Sequence, residues 1–201
     1  MAMPHVTMTR TQQRADTRQK VLDAARRVFE TRGFAGGRTQ DVAEAAGVSH
    51  GSVFVHFRTR EALIAAVVDS AILDAEAVTR RLLKTAGAIE DVLQGHLQGL
   101  AQHEDIYARI VAERSSLPKA VQARITEINS ALSTHILDAL EDSGLKTGLK
   151  VAPYFAFNTW LALIQYYLLN GDLFAPAGSV LASRGDEIIA NYLSMIRRTE
   201  P

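Results

Sequence analysis

Cysteine is absent from this chain of 201 residues, which removes disulfide frameworks, thiolate nucleophiles and cysteine-based zinc or iron–sulfur centres together. Stability must therefore come from a packed core. Long apolar runs are missing too: the greasiest stretch, Trp160 to Leu169, is about half of a membrane span and contains Gln165. The opening residues, Met1 to Arg10, hold no apolar signal core. The expectation is a cytoplasmic protein, neither secreted nor membrane-spanning. Alternating apolar–polar runs of the kind that make strands are also lacking, so the fold class is all-α.

Net charge is missing only on average, because 22 Lys+Arg balance 22 Asp+Glu. The first sixty residues carry ten basic and five acidic side chains, a net of +5, and the remainder is −5. A basic head on an acidic body suits a protein in which one end displaces counterions from phosphates and the other stays off nucleic acid.

Apolar residues at helical spacing (Val21, Leu22, Ala25, Val28, Phe29) mark a helix over about Thr17–Arg32, with Gly33 placed for a left-handed stop and Phe34 for the accompanying apolar contact. After Gly36-Gly37, Thr39 is positioned to cap a short helix ending near Ala46. Gly47 supplies a turn, Ser49 caps a second short helix to about Phe57, and Thr59 caps a long helix from Arg60 towards Arg81. Two short helices joined by a tight turn have the helix-turn-helix layout, in which the second helix enters the major groove. Spacing sends Val53 and Phe57 inward with Val42, Ala46 and Val48, and leaves His50, Gly51, Ser52, Phe54 and Val55 outside. Gly51 costs a helix interior about 1 kcal/mol relative to Ala, which makes sense where the helix must approach another backbone closely.

Thr39, Val42-Ala43, Ala46-Gly47-Val48-Ser49, Gly51, Phe54, His56-Phe57, Arg60 and Leu63, preceded by Phe29-x-x-x-Gly33, resemble the pattern of the TetR family of transcriptional regulators over roughly residues 15–65. Phe54 stands where that family usually has Tyr, and Arg60 where it usually has Lys. Phe54 has no hydroxyl to give a phosphate, so a contact there must be apolar. The resemblance implies a homodimeric, ligand-responsive regulator, usually a repressor: an N-terminal three-helix helix-turn-helix head joined to a larger C-terminal helical bundle. Carried over by position, it implies that Thr39, His56 and Arg60 hold phosphates and that His50, Gly51, Ser52 and Phe54 face base edges of a palindromic operator. Ser49 joins this DNA-binding set as the cap of the recognition helix, and Arg38 joins it from its place just before the Thr39 helix. The expected division is a flexible arm at 1–15, the head at 16–60 and an effector-binding and dimerisation domain at 61–201. Arg10 and Arg14 suit an arm entering the minor groove, although a frayed terminus would read the same.

Further helices are expected near 88–102, 104–115, 118–142, 153–170 and 179–198. The last two are apolar on more than one face. One stripe joins Tyr154, Phe157, Leu161, Ile164 and Leu168, and another joins Phe155, Ala162, Tyr166 and Leu169. One face for the protein's own core and one for a second copy is the arrangement of a four-helix dimer interface, with Leu161, Ile164, Leu168, Ile188, Tyr192 and Met195 the expected contacts. Nine of the thirteen aromatics follow residue 100, enough to line a cavity for a small-molecule effector. Its expected lining is His103, Tyr107, Phe157, Asn158, Trp160 and Tyr166.

His50 and His56 are six apart and His96 and His103 seven apart, so neither pair has the i, i+4 spacing of two ligands to one metal on a helix. Gly144-Leu-Lys-Thr-Gly148-Leu-Lys150 lacks the spacing and ending of a phosphate loop and reads as a connection. Glu104-Asp105 and Glu141-Asp142 read as exposed helix-end charges. No catalytic site, metal or cofactor is expected. The competing reading is a small-molecule-binding helical protein without specific DNA binding.

Overall fold

The computed structural model of the chain describes residues 9–83, 88–143 and 149–197. Among these it forms α1 (Arg10–Gly36), α2 (Thr39–Ala46), α3 (His50–His56), α4 (Arg60–Leu83), α5 (Ile89–Ala101), α6 (Glu104–Glu113), α7 (Lys119–Asp142), α8 (Pro153–Leu169), α9 (Gly171–Phe174) and α10 (Val180–Ile196), with a 3-10 turn at Arg114–Ser116. The architecture is all-α, and the one extended pairing among the described residues is an isolated bridge between Leu149 and Arg197. The chain divides into two compact units, Met1–Val67 and Val68–Pro201, with the boundary inside α4.

In the first unit, Val21, Leu22, Ala25, Val28 and Phe29 all lie on the buried side of α1. Gly33 has φ 73°, open to glycine without strain. There the helix kinks and makes one further turn, which buries Phe34 with its ring 5.2 Å from that of Phe29. Residues 10–15, expected in a flexible arm, are helical. Thr9 caps α1 reciprocally with Gln12: the Gln12 N–H donates to Thr9 Oγ1 (3.3 Å) and the Thr9 N–H to Gln12 Oε1 (2.8 Å). The first eight residues of the arm lie outside the described residues.

The second helix starts one residue earlier than expected, with Arg38 as N-cap and Thr39 inside the helix. Asp41 supplies the cap, accepting the Arg38 N–H at 3.0 Å while its other oxygen meets Arg32 Nη1 at 2.6 Å. These two donors hold its carboxyl below the ordinary carboxylate range, the backbone bond contributing most. Gly47 ends α2 in the left-handed region (φ 65°, ψ 35°), as a tight turn requires. Ser49 caps α3 by accepting the Ser52 N–H at 3.2 Å.

In the second unit α10 packs on α5 and α8, α6 packs on α8, and α7 touches α5 and α8. Its core holds Ile89, Leu93, Leu97, Ile136, Leu140, Trp160, Ile188 and Tyr192, all essentially inaccessible. Burying each such aliphatic chain stabilises the unit by roughly 1.5–3 kcal/mol before entropy is counted. Glu104, read from the sequence as an exposed helix-end charge, has another task. It is half-buried and its carboxylate caps α10, accepting the N–H groups of Val180 (2.9 Å) and Leu181 (3.1 Å) and the Ser179 hydroxyl. The Gly144–Lys150 connection lies mostly outside the described residues.

Gly99 sets the distance between α5 and α4. A Cβ there would stand 2.8 Å from the Ala75 carbonyl oxygen and 2.9 Å from Thr79 Oγ1. Gly99→Ala is expected to lower stability by about 1–3 kcal/mol in urea unfolding, as overpacking against backbone does. Gly178→Ala, where nothing lies within 4 Å of the new carbon, is the control that leaves the midpoint in place.

Candidate nucleic-acid interface and ligand cavity

The short helix α3 buries one side. Val53 and Phe57 are sealed in the head with Val42 and Ala43, while His50, Gly51, Phe54 and Val55 face outward and Ser52 is half-buried. Phe54 is 38% and Val55 64% exposed. His50 is oriented by two contacts: its Nε2 lies 2.9 Å from Thr39 Oγ1, and its ring meets Phe54 edge-on at 5.1 Å. The hydroxyl expected on a phosphate is thus first a partner of the recognition helix. A Cβ on Gly51 would find nothing within 4 Å. The protein itself has room for a methyl group at that point, so nothing within the head calls for glycine there.

Beside this face runs a row of basic side chains the sequence reading did not assemble. Arg10, Arg14 and Arg18 are spaced four apart on exposed α1, hence on one side of the helix. The Arg18 guanidinium lies 4.8 Å above the Phe57 ring. Partial burial, then the charges of Arg14 and Arg18, push the pKa of His56 down, so at neutral pH it is a neutral imidazole. The Thr9-x-x-Gln12 box was the signal that could have extended the helix this far.

Arg60 departs from its expected role. Its Nη2 donates to the carbonyl of Phe34 and to that of Gly37 (3.1 Å). It fastens the start of α4 to the end of α1. Arg38 is exposed and Ser49 serves as a cap.

The second unit contains a cavity of about 640 Å³. Its lining differs from the aromatic one expected. Of His103, Tyr107, Phe157, Asn158, Trp160 and Tyr166, only Tyr107 lines it. His103 is paired with Asp74 (3.1 Å), Phe157 and Trp160 are buried, and Asn158 and Tyr166 face outward. The wall is mainly aliphatic, with Ile72, Leu100, Ile110, Ile128, Leu161 and Leu168 among its residues. The Tyr107 hydroxyl donates to the Ala71 carbonyl at 2.6 Å. His96 also lines the cavity, and its Nδ1 accepts the Trp160 indole N–H at 3.1 Å. Removal from bulk water lowers the His96 pKa to about 4. No sequence signal tied His96 to Trp160.

The expected interface residues are also placed differently. Leu161, Ile164 and Leu168 line the cavity, and Ile188 and Tyr192 are core, which leaves Met195 exposed. The outward stripe of α8 is the other one, Phe155, Ala162, Tyr166 and Leu169, with Tyr154 at its start. Both stripes were apolar, and only the packing of α6, α7 and α10 on α8 selects which one turns in.

The first unit is thus a capped helix-turn-helix with an open outer face, and the second is a helical unit holding a cavity of ligand size. Residues 21–67 of the chain match the family described as "Bacterial regulatory proteins, tetR family". It is 40% identical over 55 residues to the HTH-type transcriptional regulator TtgR of Pseudomonas putida, a match covering 27% of this chain and 26% of that one. The match thus spans about a quarter of that relative's length. Against the HTH-type transcriptional repressor KstR2 of Rhodococcus jostii it is 24% identical over 198 residues, 89% of this chain and 88% of that one. The fold is similar to that of the Bacillus subtilis regulator FadR, solved in complex with stearoyl-CoA (TM-score 0.67, 18% identity, 89% of this chain and 99% of that one).

Three outcomes are expected. Gly51→Ala raises the stability of the head by up to about 1 kcal/mol, through helix propensity, while DNA affinity falls; a variant that is more stable and binds as before would contradict the docking role of α3. Arg60→Ala lowers stability by about 1–3 kcal/mol in urea unfolding, the range for losing charged hydrogen bonds, even without DNA. Because the folded pKa of His96 lies below its unfolded value of 6.5, the unfolded chain takes up the proton first. Stability is therefore full above pH 6.5 and falls as pH drops towards 4, by at most about 3 kcal/mol from this residue. Comparing urea midpoints of wild type and His96→Gln across that range isolates its share.

Proposed function

We propose that the chain is a transcription regulator, not an enzyme: a repressor that binds a palindromic operator as a homodimer and releases it when a small molecule enters the cavity. The observation that carries the proposal is the outer face of α3, where Gly51 has open space around it and a half-exposed Phe54 stands beside an oriented His50. His50, Gly51, Ser52, Phe54 and the neighbouring Val55 lie over base edges in this reading. Phosphates fall to Arg38, Thr39, His56 and the Arg10–Arg14–Arg18 row. Arg60 works indirectly, by holding α1 to α4. With no Arg, Asn or Gln on the outer face of α3, shape and water-mediated contacts supply much of the specificity.

The second copy docks on the outward stripe of α8, where Tyr154, Phe155, Tyr166 and Leu169 are about half or more exposed. Met195 on α10 is a further exposed apolar side chain that a second copy would cover. The repressor description of KstR2 and the ligand bound to FadR support the regulatory and effector parts of the reading. Among the described residues no helix is long and apolar enough to cross a membrane, and a cytoplasmic location suits a protein whose target is the operator.

Selection of bound duplexes from a random library, followed by titration of the enriched site at several salt concentrations, tests this reading. A two-fold symmetric site is expected, with a log–log salt slope of several units that falls by about one when Arg14→Gln removes one phosphate contact. A pool with no enriched sequence would overturn specific binding.

A further inference from the structure

The cavity carries more information about its ligand than its volume. Trp160 is completely buried, its ring tilted against that of Tyr192 at 5.0 Å, and the Tyr192 hydroxyl is in turn anchored on the Ala156 carbonyl at 3.0 Å. The indole therefore has one orientation, and its N–H points at His96 Nδ1. An indole N–H is only a donor, so Nδ1 must keep its lone pair. The proton of the neutral imidazole then sits on Nε2. That nitrogen makes no hydrogen bond to any described residue, and it is not a sealed, unsatisfied atom. It opens onto the cavity that His96 lines. Protonating the ring would set an Nδ1–H against the Trp160 N–H, donor against donor, so the imidazole is held as a neutral, one-proton donor.

From this we infer that the effector is a saturated aliphatic or alicyclic molecule carrying an uncharged hydrogen-bond acceptor, such as a ketone, ester or lactone carbonyl, which receives the His96 Nε2 proton. The inference rests on the effector reading above and narrows it. Aliphatic walls such as Ile72, Leu100 and Leu161 supply most of the bulk, with Tyr107 the one phenol ring and Glu76 the one carboxylate among the described lining residues. A carboxylate entering the cavity has Arg114 on the same wall as its charge partner, so a charged acceptor beside the ketones separates binding at His96 from binding at the guanidinium.

Calorimetric titration of the purified protein, without DNA, tests it with four probes: 2-undecanone, cyclododecanone, undecanoate and proflavine. The two ketones are expected to bind, and to perturb the emission of Trp160, which is the only tryptophan in the sequence. Undecanoate and proflavine are expected to bind at least tenfold more weakly. His96→Leu should weaken the ketones about fivefold to tenfold, the size of one hydrogen bond. His96→Gln, which can both accept from Trp160 and donate into the cavity, should restore them. Should the leucine variant fail to fold, the four probes on the wild-type protein still decide. Tighter binding of undecanoate or proflavine would overturn the inference while leaving an effector cavity in place. No binding by any probe, in a protein that still selects an operator, would overturn the inference and count against the effector reading while sparing DNA recognition.

Discussion

Seven residues do not hold a helix together in water, so α3 depends on what it buries. Val53 and Phe57 go under against Val42 and Ala43, Ser49 closes the first turn, and Arg18 covers the Phe57 ring from α1. Because one side does all the holding, the other is relieved of any structural duty. It can present a glycine, an exposed Phe54 and an exposed Val55 that a self-sufficient surface helix would not favour. Arg60 extends the same economy to the frame: one guanidinium reaches two carbonyls at the end of α1 and pins α4 to it. Recognition and stability thus occupy opposite sides of a very small unit.

Much of that unit was legible from sequence, since its determinants are local. Helix periodicity in α1, the glycine turn at Gly47 and the cap at Ser49 each depend on residues within a turn or two of one another. The capping box at Thr9 is equally local and could have been read. Arg60 is different in kind. Its acceptors lie 26 and 23 residues back along the chain, and a long side chain at the start of a helix carries no mark saying whether it will turn out to solvent or in towards carbonyls. Arg38 and Thr39 exchanged roles at the start of α2 for a similar reason, because Asp41 competes successfully for the capping N–H.

The second unit was legible as helices but not as faces. When α8 is apolar on two faces, periodicity cannot choose between stripes, and the packing of α6, α7 and α10 makes the choice. This turned Leu161, Ile164 and Leu168 towards the cavity and left Phe155 and Tyr166 outside. The aromatic count misled for the same reason: Trp160 and Tyr192 interlock as core, and the cavity is walled by aliphatic chains. What sequence could not suggest at all is the His96–Trp160 bond, which joins residues 64 apart and orients an imidazole donor on the cavity wall.

The central claim is that the outer face of the head is the DNA surface. Hydrogen exchange of the backbone amides, with and without an enriched duplex, addresses it directly. The account requires slowed exchange within residues 10–18 and 38–60, with α5, α6 and α7 unchanged. Protection confined to the second unit, with the amides of α3 exchanging as in the free protein, would contradict it.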